Sequence, residues 1–323
     1  IAIELGAALV FVGIIGSVLA ARGELREALE AERESESTLA RVPTASRDLD
    51  WMLLQARVRV AAGDAVWELG DIPGAAQEYA VALEASRAGT AQFPDSTVLL
   101  RQTGVVEQRL GDAAAALGQW PEAKRHHAAS LAVDESLLAR DPESLELQRD
   151  LGTDWSRVGA LAFILGEPEE ALAAHERALA IRMRLARADP DDARAQEDTA
   201  ESELHRSQSL MAVGRPDEAR ASAALAVGGL GELVKRDPDN VRLRSSLANA
   251  LAQLGRLEAS GGHHASALAH VWQARQLREA LARDHPEFSP SHERLAELDA
   301  LEGAIHAGRA PPMAATGMDP WSN

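Results

Sequence analysis

No cysteine occurs anywhere in the sequence, which removes a disulfide framework and a thiolate metal site and is compatible with any compartment. Aromatic residues make up only 3% of the chain, with a single tyrosine, so there is no supply of stacking platforms for bases. Basic residues are in deficit: 33 Lys and Arg against 50 Asp and Glu leave a net charge of −17. That balance argues against nucleic acid and against docking on anionic lipid, both of which need basic surface. Long apolar runs are scarce too, with one candidate near the start of the chain.

What is present is a ruler. Pro94, Pro142, Pro190, Pro238 and Pro286 stand 48 residues apart. The same step carries Gly70, Gly118, Gly166, Gly214 and Gly262, and an unbroken column Ala75, Ala123, Ala171, Ala219 and Ala267. A further column runs Gly63, Gly111, Gly159, Ser207, Gly255, and another Ala82, Ser130, Ala178, Ala226, Ala274. A fixed period of this length marks a helical repeat protein.

Each unit reads as two helices with a break between them. The first lies between ruler proline and glycine, and its apolar residues recur at helical spacing, as in Leu99, Leu100, Val106, Leu110, Ala114 and Leu117. The second carries Leu137, Leu185, Leu233 or Leu281 in its last turn. Proline cannot continue a helix and glycine reaches the left-handed conformation that ends one. Pro73, Pro121, Pro168 and Pro216 open the second helices, where a missing N–H costs least. The Gly63-type and Ala75-type columns are small, so they are expected to face one another where the two helices approach closely.

The pattern Gly111–x6–Gly118–x2–Pro121–Glu122–Ala123, repeated as Gly159–x6–Gly166–Glu167–Pro168–Glu169–Glu170–Ala171, resembles the tetratricopeptide repeat (TPR) family. The usual unit is about 34 residues, and the excess is expected in longer helices, a form that resembles the long units of bacterial signalling proteins. The resemblance implies an all-α, right-handed superhelical solenoid of antiparallel hairpins over residues 45–288. It also implies a concave groove, lined by the first helices, that takes a protein or peptide ligand. The first unit carries three additional residues between Pro43 and Pro94, before Gly63. The fourth has a glycine-rich second helix, Val227-Gly228-Gly229-Leu230-Gly231, expected to be the loosest. Residues 289–308 read as a capping helix and 309–323 as a disordered tail.

Residues 5–21 form a continuous apolar run of 17 residues, the lower limit for a transmembrane helix. A signal-peptide core is the alternative, with Val18-Leu19-Ala20 resembling a cleavage site. With Glu4 ahead of the run and no initiator Met, the anchor is the reading adopted, and Ile1 reads as a cut inside a longer protein. The domain order is then a membrane helix within 1–21, a charged helical stalk at 22–44, and the repeats. That order resembles the C-terminal part of bacterial transmembrane serine/threonine protein kinases, although no kinase motif occurs in this sequence. The resemblance implies a single-pass membrane protein with its repeats outside the cytoplasm, whereas Arg22 and Arg26 after the run favour a cytoplasmic C-terminal side. The family layout is the one adopted.

Candidate chemistry is sparse. His126-His127 and His263-His264 suggest metal, but neighbouring helical residues point about 100° apart and cannot both grip one ion. His127 and His175 share a column, and no carboxylate is seen to recur beside them, so neither a metal nor any other cofactor is expected. No Ser/His/Asp constellation or phosphate-binding glycine loop is recognisable, so the segment is expected to be non-catalytic. The candidate binding residues are a basic ladder on the first helices, Arg101 and Arg109 in one unit and Arg149 and Arg157 in the next, placed to hold a peptide carboxylate. Self-association through stalk and repeats is a further possibility, and nucleic acid is not expected as a partner.

Overall fold

The computed structural model describes residues 48–286 and 290–309, with residues 30, 33, 34, 37 and 41. The apolar run at 5–21, most of the 22–44 stalk and the tail beyond Arg309 lie outside the described residues. Among the described residues no helix is long and apolar enough to cross a membrane.

Among those residues there are eleven helices and no strand. They are α1 (Leu49–Glu68), α2 (Ile72–Gln92), α3 (Thr97–Ala116), α4 (Trp120–Arg140), α5 (Leu145–Ile164), α6 (Pro168–Ala188), α7 (Ala193–Ala212), α8 (Pro216–Arg236), α9 (Val241–Ser260), α10 (His264–Asp284) and α11 (Pro290–His306). From α1 to α10, helices of 20 and 21 residues alternate, so the long unit is nearly all helix. The chain forms two compact units, Ile1–Leu147 and Gln148–Asn323. In the first, α1 packs on α2, α2 on α3 and α3 on α4. In the second, helices from α6 to α11 each pack on the next along the chain.

Both ends of the first helices are written locally. Asp48, Ser96, Ser144, Asp192 and Asn240 stand 48 residues apart. Each side chain accepts the backbone N–H three residues on, from Trp51 (3.0 Å), Leu99 (3.3 Å), Leu147 (3.3 Å), Ala195 (3.0 Å) and Leu243 (3.1 Å). Each such cap is worth about 1 kcal/mol. This column shows that the first helix of unit one has its full length, so its three additional residues lie before Asp48.

At the other end, Gly70, Gly118, Gly166, Gly214 and Gly262 have φ between +70° and +85°. The residue after each glycine donates its N–H to the carbonyl five residues back, as Asp71 does to Val66 (3.2 Å) and Gln119 to Ala114 (2.8 Å). The glycine itself bonds three residues back, as Gly70 does to Trp67 (2.8 Å), which completes the Schellman motif. A Cβ on any of these five would meet open space, so the backbone angle alone requires glycine.

The Gly63-type column is glycine for the opposite reason, and the expected partner is corrected. It does not face chiefly the Ala75 column but the residue sixteen positions on. A Cβ at Gly63 would lie 2.4 Å from the Tyr79 ring, at Gly111 2.6 Å from His127, and at Gly159 2.5 Å from His175. At Gly255 the neighbour is Val271 at 3.0 Å, with the Ala267 carbonyl at 3.2 Å. Unit four, the exception with Ser207, has Ala223 in the ring's place, and both are buried. The Ala75, Ala123, Ala171, Ala219 and Ala267 column is fully buried, as are Leu233 and Leu281 from the last turns of the second helices.

The glycine-rich stretch of unit four stays within one continuous helix, α8. Cβ atoms at Gly228 and Gly231 would meet nothing within 4 Å. Gly228→Ala and Gly231→Ala are therefore each expected to stabilise the fold by about 1 kcal/mol, read as a higher urea midpoint at unchanged slope. A lowered midpoint in either variant would refute this reading of α8.

Candidate functional site

In the first compact unit the close approach at Gly63 and one tyrosine shape a cleft. Gly63 leaves room for the Tyr79 ring to enter from α2, and the buried ring presents its hydroxyl to the end of α1. There it donates to Asp64 Oδ1 at 2.7 Å. Arg109 reaches across from α3, its Nε 3.0 Å from the same oxygen and its Nη2 3.4 Å from Oδ2. Asp64, Trp67, Glu68, Tyr79, Arg109 and Asp112 line a cleft of about 220 Å³.

The field in this cleft is negative. It holds three carboxylates against one guanidinium. The Tyr79 hydroxyl is pushed above the ordinary phenol range by burial, by its bond to Asp64 and by the charges of Asp64 and Asp112, with Arg109 opposing. Asp64 is engaged by Arg109 and Tyr79, and Asp112 Oδ1 lies 3.4 Å from His127 Nε2. Glu68, exposed at the end of α1, has no partner among the described residues. On the α3 face that carries Arg101 and Arg109, Val98 and Val105 are also exposed, an apolar strip beside the cleft.

The four arginines of the ladder are each placed against a carboxylate of this chain. In the first compact unit Arg101 pairs with Glu146 at 2.5 Å and Arg109 with Asp64. In the second, Arg149 pairs with Asp192 at 3.0 Å and Arg157 lies 3.8 Å from Asp154. The columns do not extend: after Arg101 and Arg149 comes Glu197, and after Arg109 and Arg157 comes His205.

The histidines separate as their helical positions require. Asp64 and Asp112 share a column and stand beside Tyr79 and His127, but the equivalent position beside His175 is Ala160. His126 turns away from His127, its Nδ1 2.7 Å from Glu107 Oε2. Glu107, also held by Arg87 at 2.8 Å, lies below the usual carboxylate range because these two partners outweigh its burial. Among the described residues no group of three His, Asp or Glu could hold a metal ion. His175 is kept neutral by burial, helped by His205 with its ring 5.4 Å away, and its Nδ1 lies 2.9 Å from Ser209 Oγ.

Sequence reasoning missed the cleft, and of the ring column it saw His127 and His175 but not Tyr79 at its head. The signal was there: Tyr79, His127 and His175 are 48 apart, as are Asp64 and Asp112. Their chemical variety hid them, because the eye aligns identical residues first.

No protein-family model matches the sequence, and no curated protein matches it. Among solved structures, the nuclear import adaptor Nro1 of S. pombe aligns with a TM-score of 0.58 at 12% identity, covering 94% of this chain and 99% of its own. BtubC (BKLC) from P. vanneervenii aligns with a TM-score of 0.55 at 18% identity, covering 74% and 84%. The apo form of RapI aligns with a TM-score of 0.53 at 14% identity, covering 93% and 82%. At these identities the likeness is one of fold. Together with the repeat geometry it defines this chain as an all-α, TPR-like array of helical hairpins.

Proposed function

We propose that this chain is a non-catalytic scaffold that binds a protein or peptide segment along its first helices. The observation that carries the reading is the open cleft between α1 and α3, with Val98 and Val105 exposed further along the α3 face that carries Arg109. Stacked hairpins offer extended surface of this kind and little else. Nro1, one of the structures of similar fold, is itself described as an adaptor. Arg149 and Arg157 are the candidates for an anionic group of the ligand in the second compact unit. Arg149 is half-exposed, and such surface pairs are worth only about 0–1 kcal/mol, so a peptide carboxylate can take the place of Asp192.

The test is selection of peptides on the full chain, followed by titration of the winners. Saturable binding is expected, with loss in Arg149→Glu plus Arg157→Glu of peptides that depend on an acidic residue, at unchanged helical content. A library that yields no binder would overturn the scaffold reading.

The finer reading is that the scaffold is the sensing or assembly arm of a membrane-anchored bacterial signalling protein, its repeats outside the cytoplasm. The order of apolar run (5–21), charged segment (22–44) and repeats supports it, and the same order supports a parent serine/threonine kinase. Sequencing the reading frame upstream of Ile1 tests the kinase. Protease accessibility of the repeats in intact spheroplasts tests the side.

A further inference from the structure

Resting on the scaffold reading, we infer that the cleft between α1 and α3 seats one basic side chain, lysine or arginine, of the partner segment. Glu68 and Asp112 meet the cation, and Trp67 flanks its aliphatic stem.

Three features select this occupant. The first is size: at about 220 Å³ the cleft is smaller than the roughly 300–1,000 Å³ typical of small-molecule pockets, and it suits a single side chain. The second is charge. Arg109 is already held by Asp64, so the exposed Glu68, with Asp112 behind it near His127, sets the sign that an incoming group meets. An anionic side chain would face repulsion from both, which counts against a peptide carboxylate here and makes this end of the surface the complement of the arginine pair Arg149 and Arg157. The third is the wall. Trp67 offers an indole to the stem and to the cation itself. Val105, one turn before Arg109 on α3, extends an apolar contact for the residue next to the basic one. A bare metal ion is a poorer fit, because among the described residues no three ligands converge.

The experiment uses the full chain and nonapeptide libraries with the central residue fixed as Lys, Arg, Glu or Leu and the flanks random. The Lys and Arg libraries are expected to supply the binders. Changing the central base of a binder to Ala should weaken it at least tenfold, and affinity should fall with salt. Glu68→Gln with Asp112→Asn should reproduce that loss, and Glu68→Gln alone, at an exposed position, serves if the double variant loosens the fold. A Glu68→Lys chain should regain affinity for the peptide whose central base is changed to Glu. Binders that lack a base, or that ignore Glu68 and Asp112, would overturn this inference and leave the scaffold standing. Libraries that yield no binder at all would overturn both.

Discussion

Gly159→Ser is expected to destabilise the protein by about 1–3 kcal/mol, the range for overpacking a filled core, and to lose nearly all of that cost when His175 is changed to Ala. The added Cβ would stand 2.5 Å from the imidazole, which is buried and cannot move aside into solvent. The double variant copies an arrangement the chain already uses, Ser207 with Ala223 in unit four, where the Ser207 hydroxyl donates to the Leu204 carbonyl at 2.7 Å and needs only space. The His175→Ala change alone opens a void and leaves Ser209 without its bond, so the informative quantity is the coupling in a double-mutant cycle measured by chemical denaturation. A coupling of about 1–3 kcal/mol is expected; additive effects would show that glycine at 159 answers to something other than the ring. Ala223→His with Ser207 in place is the converse and should destabilise unit four.

The second large effect depends on pH. Glu197 is buried on α7, with one carboxylate oxygen paired to Arg242 and the other, Oε1, without a partner. Burial is the main cause that raises its pKa to about 7, with Glu201 and Asp198 adding to it and Arg242 opposing. The native chain therefore keeps a proton there that the unfolded chain has released. Its stabilising contribution is complete below the ordinary value of 4.5 and is lost as pH rises through 7. At 1.36 kcal/mol per unit, the swing is about 3 kcal/mol. Glu197→Gln should match the parent near pH 4 and be more stable by about that amount near pH 8, in paired urea titrations. A variant less stable than the parent at pH 8 would mean that the Arg242 pair, rather than burial, governs the site. The difference between the two proteins is the quantity to read, because Glu107 has a lowered pKa and contributes stability that is lost as pH falls.

These two sites mark where the sequence could and could not be read. The hairpins, the glycine ends at Gly70 to Gly262 and the buried alanine column were legible because each is a local signal repeated at one step. Which columns touch was not. Periodicity says that Gly63, Gly111 and Gly159 are equivalent, but their neighbour across the hairpin depends on how the two helices cross. That crossing put Tyr79, His127 and His175 opposite them, not chiefly Ala75 and its equivalents. The partners of the arginine ladder were hidden in a similar way. Arg101, Arg109 and Arg149 find acids 43–45 residues away, just short of one period, so aligned columns do not show the pairs. The cleft was invisible for a further reason: its floor is one aromatic ring that occurs once.

The local wording of the helix ends has a consequence for how such a gene can change. From Asp48 to Asn240 every cap bonds within three residues, and every glycine end closes within five. Even α11, outside the 48-residue step, ends on Gly308 (φ +62°) with Arg309 bonded to Ala304 at 3.0 Å. Start and stop signals thus travel with the helix they delimit. Duplication or deletion of 144 nucleotides, wherever the cut falls, returns each cap and each glycine to its own helix and restores the reading of both. The array is therefore free to lengthen or shorten by whole hairpins between lineages, while a change inside a hairpin that is not a whole number of periods breaks the sixteen-residue spacing that seats each ring over its glycine.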